Sequence, residues 1–504
     1  MTEPPGDVER LGDVLDRSEV AGQIEGLLPT GGRPRQLSAR TLLLGMLLTQ
    51  TTGRPAHLTG VHRALITLDA ADQVRLGVLA EWSRGPHRLT YRQVERTFAL
   101  MVAALAKEAP DGEPSDVLCR IADAWMEASI PLHYAEQTSA LAVDWSDLAA
   151  FATPPPDKEG DSSDPEASWG RRKSDAPGTK DELFFGYELQ AATMVAEEHG
   201  PAVPELARRI LVTSCHVDPP RAFVAVLARM AASGVTLTDV LADSGYAYRV
   251  PEHWALCLRA LGANIVTDLH PSDRGQKGTF AGALCANGNL YCPAVPPALL
   301  QIIPLARSAT KGAIDTHDQM TAEASRYKLG RVSADDADGF HRVACPAVMG
   351  KVRCPVREPS LRLSSDHPEV LDPPEHRPRC CSQQTVTVPP EVLAKTAQKH
   401  DYPSKAHRAS YARRTAVERT FSTTKDRATN DMTRGWCRLG GVTAITLFAV
   451  ATFVARNQRI VDAFEVRQAD DERRRAAGLQ PKIRRRRRRT LDDLVGVAPS
   501  DGPP

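Results

Sequence analysis

Apolar residues recur at three- and four-residue spacing over residues 8–30 and 38–50, as in Leu42, Leu43, Met46 and Leu47, and the pattern continues to about residue 130. That spacing gathers them on one helical face, so an all-helical N-terminal domain over residues 1–135 is expected. From Ser139 the pattern changes. SALAVDW is a short apolar run ending in Asp144, and RILVTSCHV (209–217) and FFGYELQAATMV (184–195) are two further strand-like runs. Between them and Asp144 lies a segment rich in Pro, Asp, Gly and Ser (153–182), expected to be a flexible loop and holding Asp164 and Asp175. Pro219 and Pro220 open the periodic helix RAFVAVLARMAASG, which Gly234 ends. DVLADSGY (239–246) is a short strand closed by Asp243 and a Ser-Gly turn, after which HWALCLRALG and ANIVTDL (263–269) add a helix and a strand. Three strands, then helix, strand, helix and strand, describe an α/β domain over 136–270.

The longest apolar run, Leu439 to Ala455, has 17 uncharged residues and is followed by Arg456. About 20 apolar residues are needed to cross a bilayer, so a buried helix is expected here, with no membrane partner. The start MTEPPGDVERLGD has no basic segment followed by an apolar core, so a cytoplasmic location is expected. In that reducing setting the ten cysteines are buried thiols or metal ligands more readily than disulfides. A composition of 42% hydrophobic and 25% charged residues excludes general disorder, and 504 residues allow several domains. The formal charge of +1 argues against a wholly basic nucleic-acid coat, but the cations are unevenly spread. Residues 401–440 hold nine Lys or Arg against four Asp or Glu, and residues 473–489 hold ten against none. Arg484 to Arg489 are uninterrupted, so the tail 471–504 is expected to be disordered and to add phosphate affinity that falls with salt.

Asp144 and Asp243 each close a hydrophobic strand, where a carboxylate carries a desolvation cost that a bound cation can offset. A strand-end turn or cap is the plain alternative. Further on, Tyr411, Arg414, Glu418 and Lys425 fall at roughly 0°, −60°, −20° and −40° around a helix axis, on one narrow face. Alone, Arg414 and Glu418 would be an ordinary i,i+4 surface pair. The spacing of these four, in YARRTAVERTFSTTK, resembles the Tyr-Arg-Glu-Lys signature that follows the third acidic residue of DDE transposases of bacterial insertion sequences. The resemblance implies an RNase H-like catalytic core, with residues 401–470 completing 136–270. It implies that Asp144, Asp243 and Glu418 are the catalytic residues and hold two Mg²⁺ or Mn²⁺ ions, while Arg414, Lys425 and Tyr411 hold phosphates of the element's end. Water would first free a 3′-hydroxyl, which then attacks target DNA. The expected partners are double-stranded DNA, as element ends and as target, and a second copy of the chain in a homodimer on the DNA. In the N-terminal domain, TTGRPAHLTGVHRAL (51–65) and LTYRQVERTF (89–98) are candidate DNA contacts, the second with Thr90 as N-cap and Arg92 and Arg96 on one face. Neither has a clean helix-turn-helix pattern, and ordinary packing explains both.

Between Asp243 and Glu418 lie 174 residues, far more than a core of this kind needs, so an inserted, β-rich domain over 271–400 is expected. Seven of the ten cysteines fall in this interval. Cys292, Cys345, Cys354 and one of Cys380 or Cys381 are candidate ligands of a structural Zn²⁺, although no Cys-x-x-Cys is present and buried thiols are the alternative. No Walker loop, His-Glu-x-x-His or Gly-x-Ser-x-Gly occurs. Cys215 and His216, as strand neighbours, would point to opposite faces. Two rival readings share these residues: an RNase H-like nuclease without strand transfer, and a transposase-derived DNA-binding protein without catalysis.

Overall fold

The computed structural model describes residues 7–31, 35–52, 55–82, 85–156, 160–172, 181–306 and 309–481. Asp175 and the arginine run Arg484 to Arg489 lie outside the described residues. The chain forms two compact units, Met1–Gln458 and Arg459–Pro504. It begins with α1 (Asp7–Ser18), α2 (Val20–Leu27), α3 (Ala39–Thr51), α4 (Leu58–Ile66) and α5 (Ala70–Arg75). A hairpin of β1 (Leu79–Trp82) and β2 (Gly85–Arg88) follows, then α6 (Tyr91–Leu105), α7 (Asp116–Ala128) and α8 (Leu132–Ala135). The hairpin corrects the all-helical expectation: LAEW and GPHR are too short and mixed to show a two-residue period. Helix α3 is buried almost all round, and α4 approaches it so closely that a Cβ on Gly45 would meet Val61 and Leu65 at 2.9 Å. A capping box between Thr90 and Gln93 starts α6.

The central sheet is mixed. Its strands are β3 (Ala140–Ala149), β4 (Ser168–Arg172), β5 (Glu182–Val195), β6 (Ala207–Ser214), β7 (Asp239–Ala242) and β8 (Asn264–Thr267). Helix α9 (Pro219–Ala232) precedes β7, and α10 (Ser244–Ala247) and α11 (Ala255–Ala260) follow it. The spatial order is β6-β5-β3-β7-β8, with β5 antiparallel to β3 and β6, and β7 parallel to β3 and β8. Strand β4 pairs with the start of β5, so part of the expected flexible loop is ordered sheet. Strands β6 and β7 are buried throughout, and their centres, 210–212 and 240–242, are accordingly apolar, although Arg208, Arg209 and Asp239 are buried with them.

Residues 271–400 hold two small antiparallel sheets: β9 (Gln276–Phe280), β10 (Ala283–Ala286) and β11 (Asn289–Tyr291), and β12 (Gly330–Arg331), β13 (His341–Ala344) and β14 (Val386–Val388). Between the sheets come α12 (Pro297–Leu300) and α13 (Lys311–Arg326), and α14 (Arg379–Ser382) precedes β14. The longest element is the 16-residue α13 and no strand exceeds five residues, so turns and helix outweigh strand in this segment. It buries apolar clusters of its own around Val352 and Val386.

The chain returns through α15 (Lys405–Tyr411), a 3₁₀ turn at Ala412–Arg414, α16 (Thr415–Lys425) and α17 (Val442–Ala476). Helix α17 is 35 residues long and extends well beyond the apolar run, into the residues 471–476 assigned to the tail. Its first half lies inside the main core, which is continuous from Leu11 to Val454 and joins the N-terminal helices to the sheet. Phe448 packs on Phe98 at 5.7 Å, and Asn457 bonds both Ser129 and the Ala207 carbonyl at 2.8 Å. Among the described residues no helix is long and apolar enough to cross a membrane.

Candidate active site

Strand β3 pairs with β7 only at Leu141 and Ala142, whereas its pairing with β5 runs on to Ala149. Asp144 stands just past the point where the parallel neighbour ends. It is therefore the fifth residue of a ten-residue strand, not its last: Trp145, Ser146 and Asp147 are half-buried, so the apolar run stops before the strand does. Asp243 follows the last residue of β7 and caps α10, its Oδ1 accepting from the N–H groups of Gly245 at 2.8 Å and Tyr246 at 3.4 Å. The end of one parallel pair thus brings both aspartates together.

Helix α16 packs across β3 and β5, and Thr420 accepts a 3.1 Å hydrogen bond from Thr193 there. The 3₁₀ turn before it separates Tyr411 from the regular helix, so the four signature residues do not share one ideal helical face. They are linked through Arg414. Its Nη1 donates to Asp144 Oδ2 at 3.0 Å, and its Nη2 donates to Glu418 Oε1. The Arg414 guanidinium also lies 5.6 Å from the centre of the Tyr411 ring, which stacks on His407 at 5.8 Å. Glu418 is the most open of the group at 41% exposure, against 17% for Asp144 and 13% for Arg414.

Burial pushes the Asp144 carboxyl up to about 7, and the charge of Asp243, with a smaller effect from Glu418, pushes the same way against Arg414. Arg414 loses solvation too, yet Tyr411, Asp144, Glu418 and Asp243 together hold its proton more firmly than usual. The three carboxylates therefore share one arginine. Among the described residues no three His, Cys, Asp or Glu side chains are gathered closely enough to hold an ion as they stand. Around Asp144 the guanidinium bonded to two of the acids occupies the space between them. The donor set itself, three hard oxygens with surplus negative charge at a buried position, fits a divalent cation.

Lys425 is not a free surface cation. Its Nζ donates to Ser146 Oγ at 2.8 Å, the Asp147 carbonyl at 2.6 Å and Asp147 Oδ1 at 3.1 Å, pinning the end of α16 to β3. Burial lowers its pKa despite Asp147. Asp147 also binds Arg172 and lies opposite Glu188 in register, a carboxyl that burial and Asp147 push up to about 7. Neither Asp147 nor Glu188 was singled out from the sequence; the Asp-x-x-Asp spacing in DWSD was the available signal. Arg413, also passed over, turns the other way from Arg414 and bonds Asp239 at 2.7 Å.

Arg92 and Arg96 are exposed on α6. Asp164, expected in a loose loop, is 3% exposed and accepts from the Gly441 N–H at 3.0 Å and from the Tyr187 hydroxyl at 2.6 Å, just ahead of α17. Strand β6 ends at Ser214, so Cys215 and His216 lie beyond it. All ten cysteines are free thiols. The charges of Cys345, Cys381 and Cys354 reach Cys292, and the Cys380 and Cys381 sulfurs are 3.9 Å apart. Burial nonetheless pushes the Cys292 thiol up to about 12, and among the described residues no three sulfurs stand as a ready ligand set for an ion. No protein-family model matches the chain, and no curated protein is similar to it at a significant level.

Proposed function

We propose that this chain is a DDE transposase, which cuts DNA at the ends of an insertion sequence and joins them to target DNA through an RNase H-like core. The observation that carries the reading is Arg414, which joins a buried Asp144 on β3 to Glu418 on α16, far apart in sequence, where the charge of Asp243 also acts on Asp144. Gathering like charges at a buried position works against stability, and sites arranged for chemistry are where it occurs. The strand order β6-β5-β3-β7-β8, three strands antiparallel and two parallel, supports the RNase H-like part of the reading. Fold alone sets no activity.

Mg²⁺ or Mn²⁺ ions, when bound, supply activation of the attacking oxygen and stabilisation of the departing one. Asp144, Asp243 and Glu418 are the side chains that would hold them. Arg414 supplies the positive charge these acids share here; once they hold cations, its planar fork is free to grip a phosphate. Tyr411 backs that guanidinium. Lys425 fixes α16, and so Glu418, against β3. Arg92 and Arg96 offer exposed cations to the duplex, and a second copy of the chain would bring the second element end.

Glu418→Gln keeps size and hydrogen bonding but removes the charge. On DNA taken from the flanks of the gene, which this reading expects to carry inverted repeats, Mg²⁺-dependent cleavage should fall roughly a thousandfold while binding of the ends persists. Normal cleavage by that variant would remove the main support for the reading. Joined products in the same assay separate a transposase from a nuclease that only cuts.

A further inference from the structure

Just beyond the single turn of α10, on the chain leaving Asp243, opens a cleft of about 490 Å³ whose lining includes Asp218, Arg221, Tyr248, Arg249, His253 and Lys395. Three of these are permanent cations and one is a carboxylate. That carboxylate, Asp218, is bonded to Arg249 at 2.8 Å, and Lys395 is bonded to Asp273 at 2.8 Å. The side chains of Arg221 and His253 have no hydrogen-bonding or ionic partner among the described residues. Tyr248 is 51% exposed, although its ring is held in place by His270, with centroids 4.4 Å apart, and by the Lys395 ammonium 5.2 Å from its centre. A fixed, half-open aromatic ring beside an unpaired guanidinium, an unpartnered imidazole and a lysine is a combination that takes single-stranded nucleic acid: a base stacks on the ring and phosphates meet these nitrogen donors, in any sequence. The six residues from Asp243 to Tyr248 include one helical turn, and five helical steps rise about 7 Å, which is the length of one or two nucleotides.

We infer that this cleft binds a nucleotide unit of the DNA strand passing the Asp243 side of the active site. Tyr248 stacks an unpaired base, while Arg221, His253 and Lys395 take its phosphate. The inference rests on the reading of the chain as a protein that acts on DNA. It adds a subsite that holds a strand once its base has left the duplex.

The test uses the full chain and a short single-stranded oligodeoxynucleotide carrying 2-aminopurine. Binding should quench the fluorescence by stacking. Tyr248→Leu should lose the quench and roughly tenfold in affinity, and Tyr248→Phe should restore both. Arg221→Ala should keep the quench but lower the slope of log affinity against log salt by about one. Both side chains are on the surface, so folding is spared. If Tyr248→Leu and Arg221→Ala match the parent in affinity, quench and salt slope, while Glu418→Gln still abolishes cleavage, the cleft assignment is wrong and the proposed function stands. If the parent chain binds no DNA at any salt, both fall.

Discussion

The two ends of β7 carry two buried-carboxylate sites that differ in one respect. At its start Asp239 is fully buried and bonded to Lys399 at 2.8 Å, Arg413 at 2.7 Å and Asn264 at 3.1 Å. Burial works to raise its pKa, but these partners lower it. Past its end, burial and then the negative charge of Asp243 act on Asp144, which has one cation, and the Asp144 carboxyl rises to about 7. Consecutive residues of one 3₁₀ turn, Arg413 and Arg414, serve the two ends. The first site is satisfied by the protein alone, as a structural ion pair must be. The second is short of positive charge.

The largest expected effect follows from that difference. Asp239→Leu leaves Arg413 and Lys399 with Glu198 as their one carboxylate partner, at 3.4 and 3.5 Å, and should cost about 3 kcal/mol in urea unfolding. Asp144→Asn, at pH 8 in EDTA, should cost nothing or stabilise, because it removes a like charge. Equal losses at the two positions would make the Asp144 group an ordinary structural network.

The pH dependence should differ in the same way. The folded chain keeps a proton on Asp144 up to about pH 7, while the unfolded chain loses it near pH 4. Between those values the folded state binds more protons, so this group's contribution to stability falls as pH rises through the window and is level above it. In EDTA the melting temperature of Asp144→Asn should therefore gain on that of the parent from pH 4 to pH 7. Adding Mg²⁺ at pH 8 should raise the parent's melting temperature and leave the variant's unchanged. A parent that ignores Mg²⁺ would refute cation binding by these acids.

The sequence showed most of the strand and helix order because β6 and β7 have apolar centres and Pro219 and Gly234 bracket α9. Asp243 stood out as the residue closing an apolar strand, and Glu418 only through the spacing of its signature neighbours. The sequence misplaced the end of β3, since WSDLA is half-buried and its pairing is set by a distant partner, β5. Strand β4 was lost inside a polar segment for that reason. The arginine between Asp144 and Glu418 was legible as a residue type, but its link across to β3 is a tertiary fact. So is the opposite direction taken by Arg413.

Gly245 offers a smaller perturbation confined to the charge-poor end. A Cβ there would meet the Trp145 ring at 2.5 Å and Asp243 Oδ1 at 3.0 Å. Trp145 is packed on Tyr246 at 4.7 Å, which in turn packs on Trp254 at 4.6 Å, so the ring has little room to yield. Gly245→Ala should cost about 1–3 kcal/mol by overpacking. It should also displace Asp243 and lower cleavage well beyond what the lost stability explains, when both are measured at a temperature where the variant is folded.

The smallest expected effect on stability is at Lys425, which has a counterpart at the other end in Lys399. The two side chains are equally open, at 25% and 26% exposure, but their partners are not: Asp147 is 18% exposed and Asp239 fully buried. Asp147 also keeps Arg172 when Lys425 is removed. Lys425→Met should therefore cost only about 1 kcal/mol, and Lys399→Met more, since a buried carboxylate loses part of its compensation. In function the order should reverse. Lys399 stands at the end of β7 away from Asp243, so its loss should leave cleavage by the folded protein intact. Lys425 ties the end of α16 to Ser146 and Asp147, and its loss lets the helix that carries Glu418 shift on β3. Cleavage should then fall while the salt slope of DNA binding stays the same, because a lysine already bonded to the strand releases no counterion from DNA. If the slope fell by about one, Lys425 would leave β3 to meet a phosphate, and the role implied by its place in the signature would hold.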